Sequence, residues 1–91
     1  MASYGFHLEA ADEYLAATRY YLGHASTLVA AAFVAEVEAA IKTLLASPTT
    51  WAVIEDPEIR RYLLKQFTYS LYYRWEPERD RVSIYAVMHS A

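Results

Sequence analysis

The stretch IRRYLLKQFTYSLYY, residues 59–73, decides the fold of this chain. It is dense in aromatic and aliphatic residues, has no Gly or Pro, and carries basic side chains at Arg60, Arg61 and Lys65. Such residues favour pleated, half-buried backbone, so the stretch predicts the centre of a small antiparallel sheet with basic groups along it. One strand is predicted at residues 60–65 and the next at 68–75.

Two further strands are predicted outside this stretch, at 4–8 and 81–88, because apolar residues alternate with other residues there. The charged segment 76–80 predicts a turn before the last strand. Within that strand, two alternating sets are each predicted to share one face of the sheet, namely Val82, Ile84, Ala86 and Met88 against Ser83, Tyr85 and Val87.

Two helices are predicted between the first strand and the centre of the sheet. The first ends at Gly23, a residue type that favours the C-terminal cap. The second covers residues 27–46, follows the N-cap residue Ser26 and stops at Ser47-Pro48, before a predicted loop at 48–57. The predicted apolar faces are Ala11, Tyr14, Leu15, Thr18, Tyr21 and Leu22 in the first helix, and Phe33, Val37, Ile41, Leu44 and Leu45 in the second.

The order of these elements, β-α-α-β-β-β, predicts an α+β fold in which a small antiparallel sheet packs on an N-terminal helical hairpin. A chain of 91 residues has room for one hydrophobic core, so residues 1–91 are predicted to form a single domain. One face of the sheet should contact the helices. The other face must be solvated, covered by a partner or used in function.

The composition narrows the classes of function. The chain has no cysteine, which excludes disulfides and thiolate metal sites and fits a reducing cytoplasm. No secretion signal is expected, because the N-terminus lacks a basic region followed by an apolar run. The longest apolar run, residues 28–35, is too short to span a bilayer. The formal net charge of -3 argues against a broad electrostatic surface for nucleic acid.

The sequence contains no Gly-rich phosphate loop, nucleophile elbow or cluster of metal ligands, so we expect neither a cofactor nor a metal site. Among the histidines, His7 on the first predicted strand is interpreted as structural and His24 as a surface residue. His89 follows the last predicted strand and is the histidine considered for function.

Four basic residues on adjacent predicted strands, Arg60, Arg61, Lys65 and Arg74, offer a site for a phosphate or a carboxylate. Alternatively, they shield strand edges and pair with the neighbouring acidic residues, which are Glu55, Asp56, Glu58 and Glu76. The aromatic residues of the sheet allow base stacking, cross-strand packing or a protein interface; they are Tyr69, Tyr72, Tyr73, Trp75 and Tyr85.

Several short motifs occur in a characteristic order along nearly the whole chain. They are Tyr4-x-Phe6-x-Leu8-Glu9-Ala10, Tyr20-Tyr21, Phe33-x-x-Glu36-Val37, Ser47-Pro48, Ile59-Arg60-Arg61-Tyr62, Phe67-Thr68-Tyr69-Ser70-Leu71-Tyr72-Tyr73 and Val82-x-Ile84-x-Ala86-Val87-Met88-His89. The ordered set resembles the RelE/ParE superfamily of bacterial type II toxin-antitoxin toxins. This resemblance implies a small cytoplasmic toxin, neutralised by a cognate antitoxin whose C-terminal segment wraps around it.

The superfamily has two branches with different targets. RelE-like members cleave mRNA on the ribosome, and they carry a catalytic arginine where this chain has Ser70 and a further basic residue where it has Ser90. RelE-like members usually carry a further tyrosine on a C-terminal segment. That tyrosine is not expected here, because the sequence stops at Ala91. Lys65 and His89 remain as acid–base candidates for that chemistry.

The Arg60-Arg61 pair and the run at residues 67–73 resemble the ParE branch, whose members poison DNA gyrase without known nuclease activity. ParE-type toxins normally continue past His89 with basic residues. The first hypothesis is therefore a ParE-like toxin that binds gyrase and is not an enzyme. Its target- or antitoxin-binding residues are predicted to be Arg60, Arg61, Tyr72, Arg74, Tyr85 and His89.

Two alternatives stay open. A RelE-like endoribonuclease is predicted to use Arg61, Lys65 and His89, whereas a non-toxic relative keeps only antitoxin binding or self-association. The expected partners are the antitoxin and DNA gyrase, with no membrane and no sequence-specific nucleic acid. A homodimer is compatible with the sequence.

Overall fold

The computed structural model describes residues 2–90, in which two helices precede most of a five-stranded sheet. In chain order the elements are β1 Ser3–Phe6, α1 Leu8–His24, α2 Thr27–Ala46, β2 Val53–Glu55, β3 Ile59–Leu63, β4 Tyr69–Glu76 and β5 Arg81–His89. A short 3-10 turn, Pro77–Arg79, joins β4 to β5. The strand order across the sheet is β1-β5-β4-β3-β2, and the helical hairpin covers one face. Within residues 2–90, neither helix combines the length and the apolar character that a membrane span requires.

The sheet is mixed rather than wholly antiparallel. β1 runs parallel to β5, with Ser3 beside Arg81 and Phe6 beside Ile84, whereas the other neighbouring strands are antiparallel. The prediction of an antiparallel sheet is therefore wrong at this edge. Alternation of apolar residues indicates which face of a strand is buried but not the direction of the strand, so the sequence carried no signal for the parallel pairing.

An additional strand, β2, occupies part of the segment predicted to be a loop. It pairs antiparallel with β3, and the turn between the two strands contains a cis Asp56-Pro57 peptide bond and Glu58 with φ of 57°. All three β2 residues are exposed. The strand therefore lacks the alternation of buried and exposed positions by which longer strands are recognised in a sequence.

Helix α1 extends beyond its predicted limits at both ends. His7 and Leu8, predicted on the first strand, are the N-cap and the first residue of the helix. Gly23 lies inside the helix, and Ala25 is the C-cap, where its N–H donates to the carbonyl of Tyr21. The cap residue has φ of -129°, outside the left-handed region, so a glycine is not required there.

The buried face of α1 agrees with the predicted one only in part. Ala10 and Ala17 are buried, with Tyr14, Thr18 and Tyr21 partly buried beside them. The predicted members Leu15 and Leu22 are instead 47% and 50% exposed, and Ala11 is exposed as well. Apolar residues surround most of this helix, so periodicity alone did not distinguish the face that contacts the sheet.

Helix α2 has the predicted limits and the predicted core face. The Ser26 hydroxyl accepts a hydrogen bond of 3.1 Å from the backbone N–H of Val29, which is the expected N-cap contact. Phe33 is fully buried, and the centroid of its ring lies 5.2 to 6.0 Å from those of four other rings, which belong to Tyr14, Tyr21, Phe67 and Tyr69. Burial in this cluster raises the pKa of Tyr14 to about 12.

Candidate functional site

The face of the sheet that points away from the helices, here called the open face, carries alternate residues of β3, β4 and β5. On β4, Leu71 and Tyr73 are fully buried on the helix side, and Tyr69 packs there on Phe33. The intervening residue Tyr72 lies on the open face, across from Arg61 on β3. Tyr69, Tyr73 and Trp75 thus serve core packing, and of the predicted aromatic residues only Tyr72 and Tyr85 line cavities on the open face.

A β-bulge in β5 controls what this face displays. Tyr72 pairs with Ala86 and Tyr73 pairs with Ile84, so Tyr85 is the extra residue between them. The centroid of the Tyr85 ring lies 3.9 Å from that of His7, at the edge formed by β1. Because of the bulge, the predicted alternation breaks after Ile84, and Val87 is buried while Met88 is 49% exposed.

An apolar pocket of about 440 Å³ lies on the open face where the β2–β3 turn approaches β5. We call it the open-face pocket. Tyr72, Tyr85 and Met88 form much of its lining, and Glu55 at the end of β2 and Asp56 in the turn add carboxylates; the other lining residues are Pro57, Ile59 and Ala86. Large apolar and aromatic side chains beside a few charged groups are typical of a surface that binds another protein.

A more polar cavity of about 410 Å³ lies toward the other end of the same face, and its lining includes Glu76, Arg79, Arg81 and Ser83. Glu76 accepts hydrogen bonds from the Ser83 hydroxyl and from Arg79, and the latter forms an ion pair of 3.2 Å. The hydrogen bond from Ser83 is the main reason that the pKa of Glu76 is below its ordinary value. Arg81 fits here because Gly5 has no side chain. A Cβ atom at Gly5 would collide with the Arg81 guanidinium.

The two adjacent arginines point to opposite sides of the sheet. Arg60 lies opposite the buried Tyr73, and its Nη1 donates to the carbonyls of Thr49 and Trp51 at 3.1 Å and 2.6 Å. It therefore anchors the loop before β2 and does not join a surface cluster. Arg61 is exposed on the open face. Within the described residues no ion pair joins either arginine to the acidic neighbours that were predicted as partners.

Lys65 lies in the turn between β3 and β4, away from the open-face pocket. Its backbone N–H donates to the Glu36 carboxylate at 2.5 Å, and the N–H of Gln66 donates to the same carboxylate at 3.1 Å. The role that the structure gives to this position is thus a backbone contact between the turn and α2. The Lys65 side chain is exposed.

His89 lies at the end of β5 on the helix side of the sheet. Its ring packs edge-on against Tyr69, with centroids 5.2 Å apart, and its Nε2 is 2.9 Å from the Thr68 hydroxyl. His89 pairs with Tyr69, whereas Arg61 pairs with Tyr72. Three residues along a strand separate these positions by about 10 Å, and the two side chains lie on different faces. The structure does not bring Arg61, Lys65 and His89 together.

Ser70 occupies the position where the resemblance led us to expect a catalytic arginine in a nuclease. It is completely buried between its strand neighbours Leu63 and Met88. Its hydroxyl has no hydrogen-bond partner among the described residues. A buried serine at this position supplies no positive charge to stabilise a phosphate.

A second apolar cavity, of about 410 Å³, lies between α1 and β5 on the helix side, and we call it the α1–β5 groove. Ala16, Tyr20 and His89 form part of its wall, and Glu13 bridges its two sides by accepting a hydrogen bond of 2.9 Å from the N–H of Val87. His89 is therefore the predicted site residue that lines this groove. Among residues 2–90 no cluster of side chains suits a metal ion.

Several residues that line the open-face pocket or the α1–β5 groove were not predicted as site residues. Met88 was grouped with Val82 and Ile84, because nothing in the sequence indicates the bulge that reverses its orientation. Glu55 and Asp56 were considered only as ion-pair partners, since their place beside the pocket depends on β2, a strand without a sequence signal. The expectation about the end of the chain at Ala91 lies outside the described residues.

Comparisons with known proteins agree with this fold. The chain superposes over its full length on 97% of a chain from the chromosomal ParDE toxin-antitoxin system of P. aeruginosa, with a TM-score of 0.81 and 18% identity. Superposition on the isolated E. coli RelE toxin covers 86% of that chain (TM-score 0.71, 16% identity), and on the intact E. coli RelBE toxin-antitoxin complex 99% of the matched chain (TM-score 0.70, 17% identity). In each case all of the present chain is covered.

Sequence comparison gives the family directly. No curated protein matches the chain. Residues 4–91, however, match the family described as the ParE toxin of the type II toxin-antitoxin system parDE. The matched region contains the resemblance motifs and all of the described helices and strands except Ser3, the first residue of β1. The chain therefore belongs to the ParE toxin family of type II toxin-antitoxin systems.

Proposed function

We propose that this toxin acts in the cytoplasm by binding a protein target, DNA gyrase, and that a cognate antitoxin neutralises it. The observation that carries the proposal is the open-face pocket, in which Tyr72, Tyr85 and Met88 surround a cavity of about 440 Å³. Interfaces between proteins are enriched in tyrosine and methionine at their centres, with charged groups at the rim. Arg61 and Arg74 lie on the same face and supply rim charges of the opposite sign to Glu55 and Asp56.

The positions of the basic groups argue against phosphodiester cleavage as the mechanism. Cleavage by the 2'-hydroxyl of RNA requires a general base, a general acid and a cation to converge on one phosphate. Arg61 lies on the open face and His89 on the helix side, and Ser70 provides no charge. The open face thus has the chemistry of a protein-binding surface more than that of a nuclease.

The α1–β5 groove is the site that we assign to the antitoxin. Its apolar wall, with Tyr20 53% exposed, suits the apolar side of an extended or helical segment. Neutralisation then follows if an antitoxin segment in the groove continues past Met88, which lines both cavities, and covers the open-face pocket.

A matched pair of tyrosine substitutions tests the two assignments. Tyr72→Ser changes the open face and Tyr20→Ser changes the groove, and neither side chain is fully buried. We expect Tyr72→Ser to lose inhibition of gyrase supercoiling while it still binds the small protein encoded beside the toxin. We expect Tyr20→Ser to inhibit gyrase while it binds that protein at least about tenfold more weakly. Circular dichroism of both variants controls for folding.

Other outcomes would replace this proposal. If the unmodified protein neither inhibits supercoiling nor traps cleaved DNA, gyrase is not the target. New codon-positioned mRNA ends after induced expression, measured by primer extension, would establish the ribonuclease alternative. Growth without arrest, together with retained antitoxin binding, would indicate a non-toxic relative. Equal inhibition by Tyr72→Ser and the unmodified protein would remove the open face from the target contact.

A further inference from the structure

The outer surface of α1 carries a straight line of exposed leucines. Leu8, Leu15 and Leu22 are seven residues apart, and seven residues complete two helical turns to within about 20°. They are 80%, 47% and 50% exposed, on the side of α1 opposite the buried Ala10 and Ala17. Single exposed leucines are ordinary, but three in register form a continuous apolar ridge.

The neighbouring helix extends this ridge into a wider apolar surface. Leu28 at the start of α2 is 83% exposed, and Ala31 and Ala35 are exposed one and two turns further along. Small side chains on one helix allow the backbone of another helix to approach closely. The outer surface of the helical hairpin therefore offers an apolar ridge on α1 and, beside it on α2, small side chains that leave space for a partner helix.

The spacing of the ridge is self-complementary. Suppose that two α1 helices pack side by side in opposite directions about a two-fold axis at Leu15. The numbers of two residues that face each other across the axis then add up to about 30. Leu8 then faces Leu22 of the second copy, Leu15 faces its own equivalent, and Leu22 faces Leu8. All three leucines of each copy are covered at once, which is the property that a symmetric interface requires.

The charged residues beside the ridge fit the same arrangement. Asp12 and Arg19 lie on the same flank of the ridge, both are exposed, and neither side chain has a hydrogen bond or ion pair within the described residues. In an antiparallel two-fold pair, like flanks face each other. Asp12 of one copy then lies opposite Arg19 of the other, and the two-fold axis forms this pair twice. In a parallel two-fold pair, the flank that carries Asp12 and Arg19 would face the opposite flank of the second copy, so this pair of opposite charges would not form.

We propose that a second copy of this chain binds to the outer surface of the helical hairpin, through antiparallel α1 helices centred on Leu15. The dimer leaves the open-face pocket and the α1–β5 groove accessible, because both lie on other sides of the molecule. Self-association is therefore compatible with binding of the target and of the antitoxin, and the proposal does not depend on which target is correct.

Sedimentation velocity of the purified full chain over a concentration series from about 1 to 200 µM tests the proposal. We expect a concentration-dependent dimer. Leu15→Glu places two carboxylates at the two-fold axis and should raise the dissociation constant by about tenfold or more. Leu63→Glu is the matched control, since Leu63 is 52% exposed on the sheet and should leave the dissociation constant unchanged.

Charge reversal supplies a test that does not change the apolar surface. Arg19→Glu alone and Asp12→Arg alone should each weaken the dimer by several-fold, because each places like charges opposite one another. The double variant Asp12→Arg/Arg19→Glu should restore it. A monomer at all concentrations, or a double variant weaker than both single variants, would overturn the proposal. So would loss of antitoxin binding by Leu15→Glu with unchanged sedimentation, which would assign the ridge to the antitoxin.

Discussion

The contact between Glu36 and the β3–β4 turn allows a stability prediction with a definite size. The Glu36 carboxylate accepts hydrogen bonds from the backbone N–H groups of Lys65 and Gln66, at 2.5 Å and 3.1 Å. A hydrogen bond to a charged group contributes about 1.5–3 kcal/mol when it is shielded from water. Glu36 is only partly buried and the turn is exposed, so we discount the sum and expect Glu36→Ala to cost about 2 kcal/mol.

The measurement is urea unfolding followed by circular dichroism, with a thermal melt beside it. A loss of about 2 kcal/mol corresponds to a fall of roughly 10 °C in Tm for a domain of this size. Glu36→Gln keeps one acceptor oxygen without the charge and should lose about half as much. Glu38→Ala is the control, because Glu38 is an exposed carboxylate two residues along the same helix and should change stability by less than about 0.5 kcal/mol.

The opposite result would show that the turn is not held by this carboxylate. If Glu36→Ala and Glu38→Ala unfold at the same urea concentration, the two backbone contacts contribute nothing measurable. Lys65→Ala adds an independent check. It keeps the backbone N–H and should therefore be as stable as the unmodified protein.

Three further predictions concern the core and the polar end of the sheet. Tyr73→Phe removes the hydroxyl that donates to the Pro48 carbonyl at 2.8 Å and should cost about 1–2 kcal/mol in urea unfolding; a neutral result would mean that water replaces this contact. Phe33→Leu should cost about 1–3 kcal/mol, because it removes the centre of the aromatic cluster, and an unchanged unfolding midpoint would contradict that role. The lowered pKa of Glu76 contributes stability that is present above its ordinary value of 4.5 and is lost as the pH falls through the folded-state pKa. Ser83→Ala removes the largest cause of that shift and should flatten the dependence of unfolding free energy on pH below 4.5, whereas an unchanged dependence would exclude Glu76 as its source.

The parts of the fold predicted correctly are those whose signal is local. Helix α2 has the predicted limits because Ser26 forms the N-cap and the helix ends before Ser47-Pro48. Both signals act within a few residues. Strands β3 and β4 were predicted from a local signal as well, the run of aromatic and aliphatic residues at 59–73. In contrast, the parallel direction of β1 and the existence of β2 depend on which strands become neighbours, and that is not encoded at short range.

The candidate site illustrates the same limit more sharply. Tyr72 and Tyr85 were among the predicted binding residues, and the bulge at Tyr85 determines that Met88 joins them in one pocket. Arg60 and Arg61 were predicted to act together, although adjacent residues in a strand point to opposite faces. Alternation already contained that information, whereas the bulge had no signal in the sequence.

The parallel pairing of β1 with β5 has a consequence for the synthesis of the protein. Ser3 pairs with Arg81, about 80 residues later, so the first strand has no strand partner until β5 has been made. The helices can form earlier, because their hydrogen bonds are local, but Val82 and Ile84 on β5 complete the apolar layer beneath them. A nascent chain in which β5 has not yet been made therefore lacks both β5-lined cavities, and the surfaces proposed for the target and the antitoxin form together once β5 is in place.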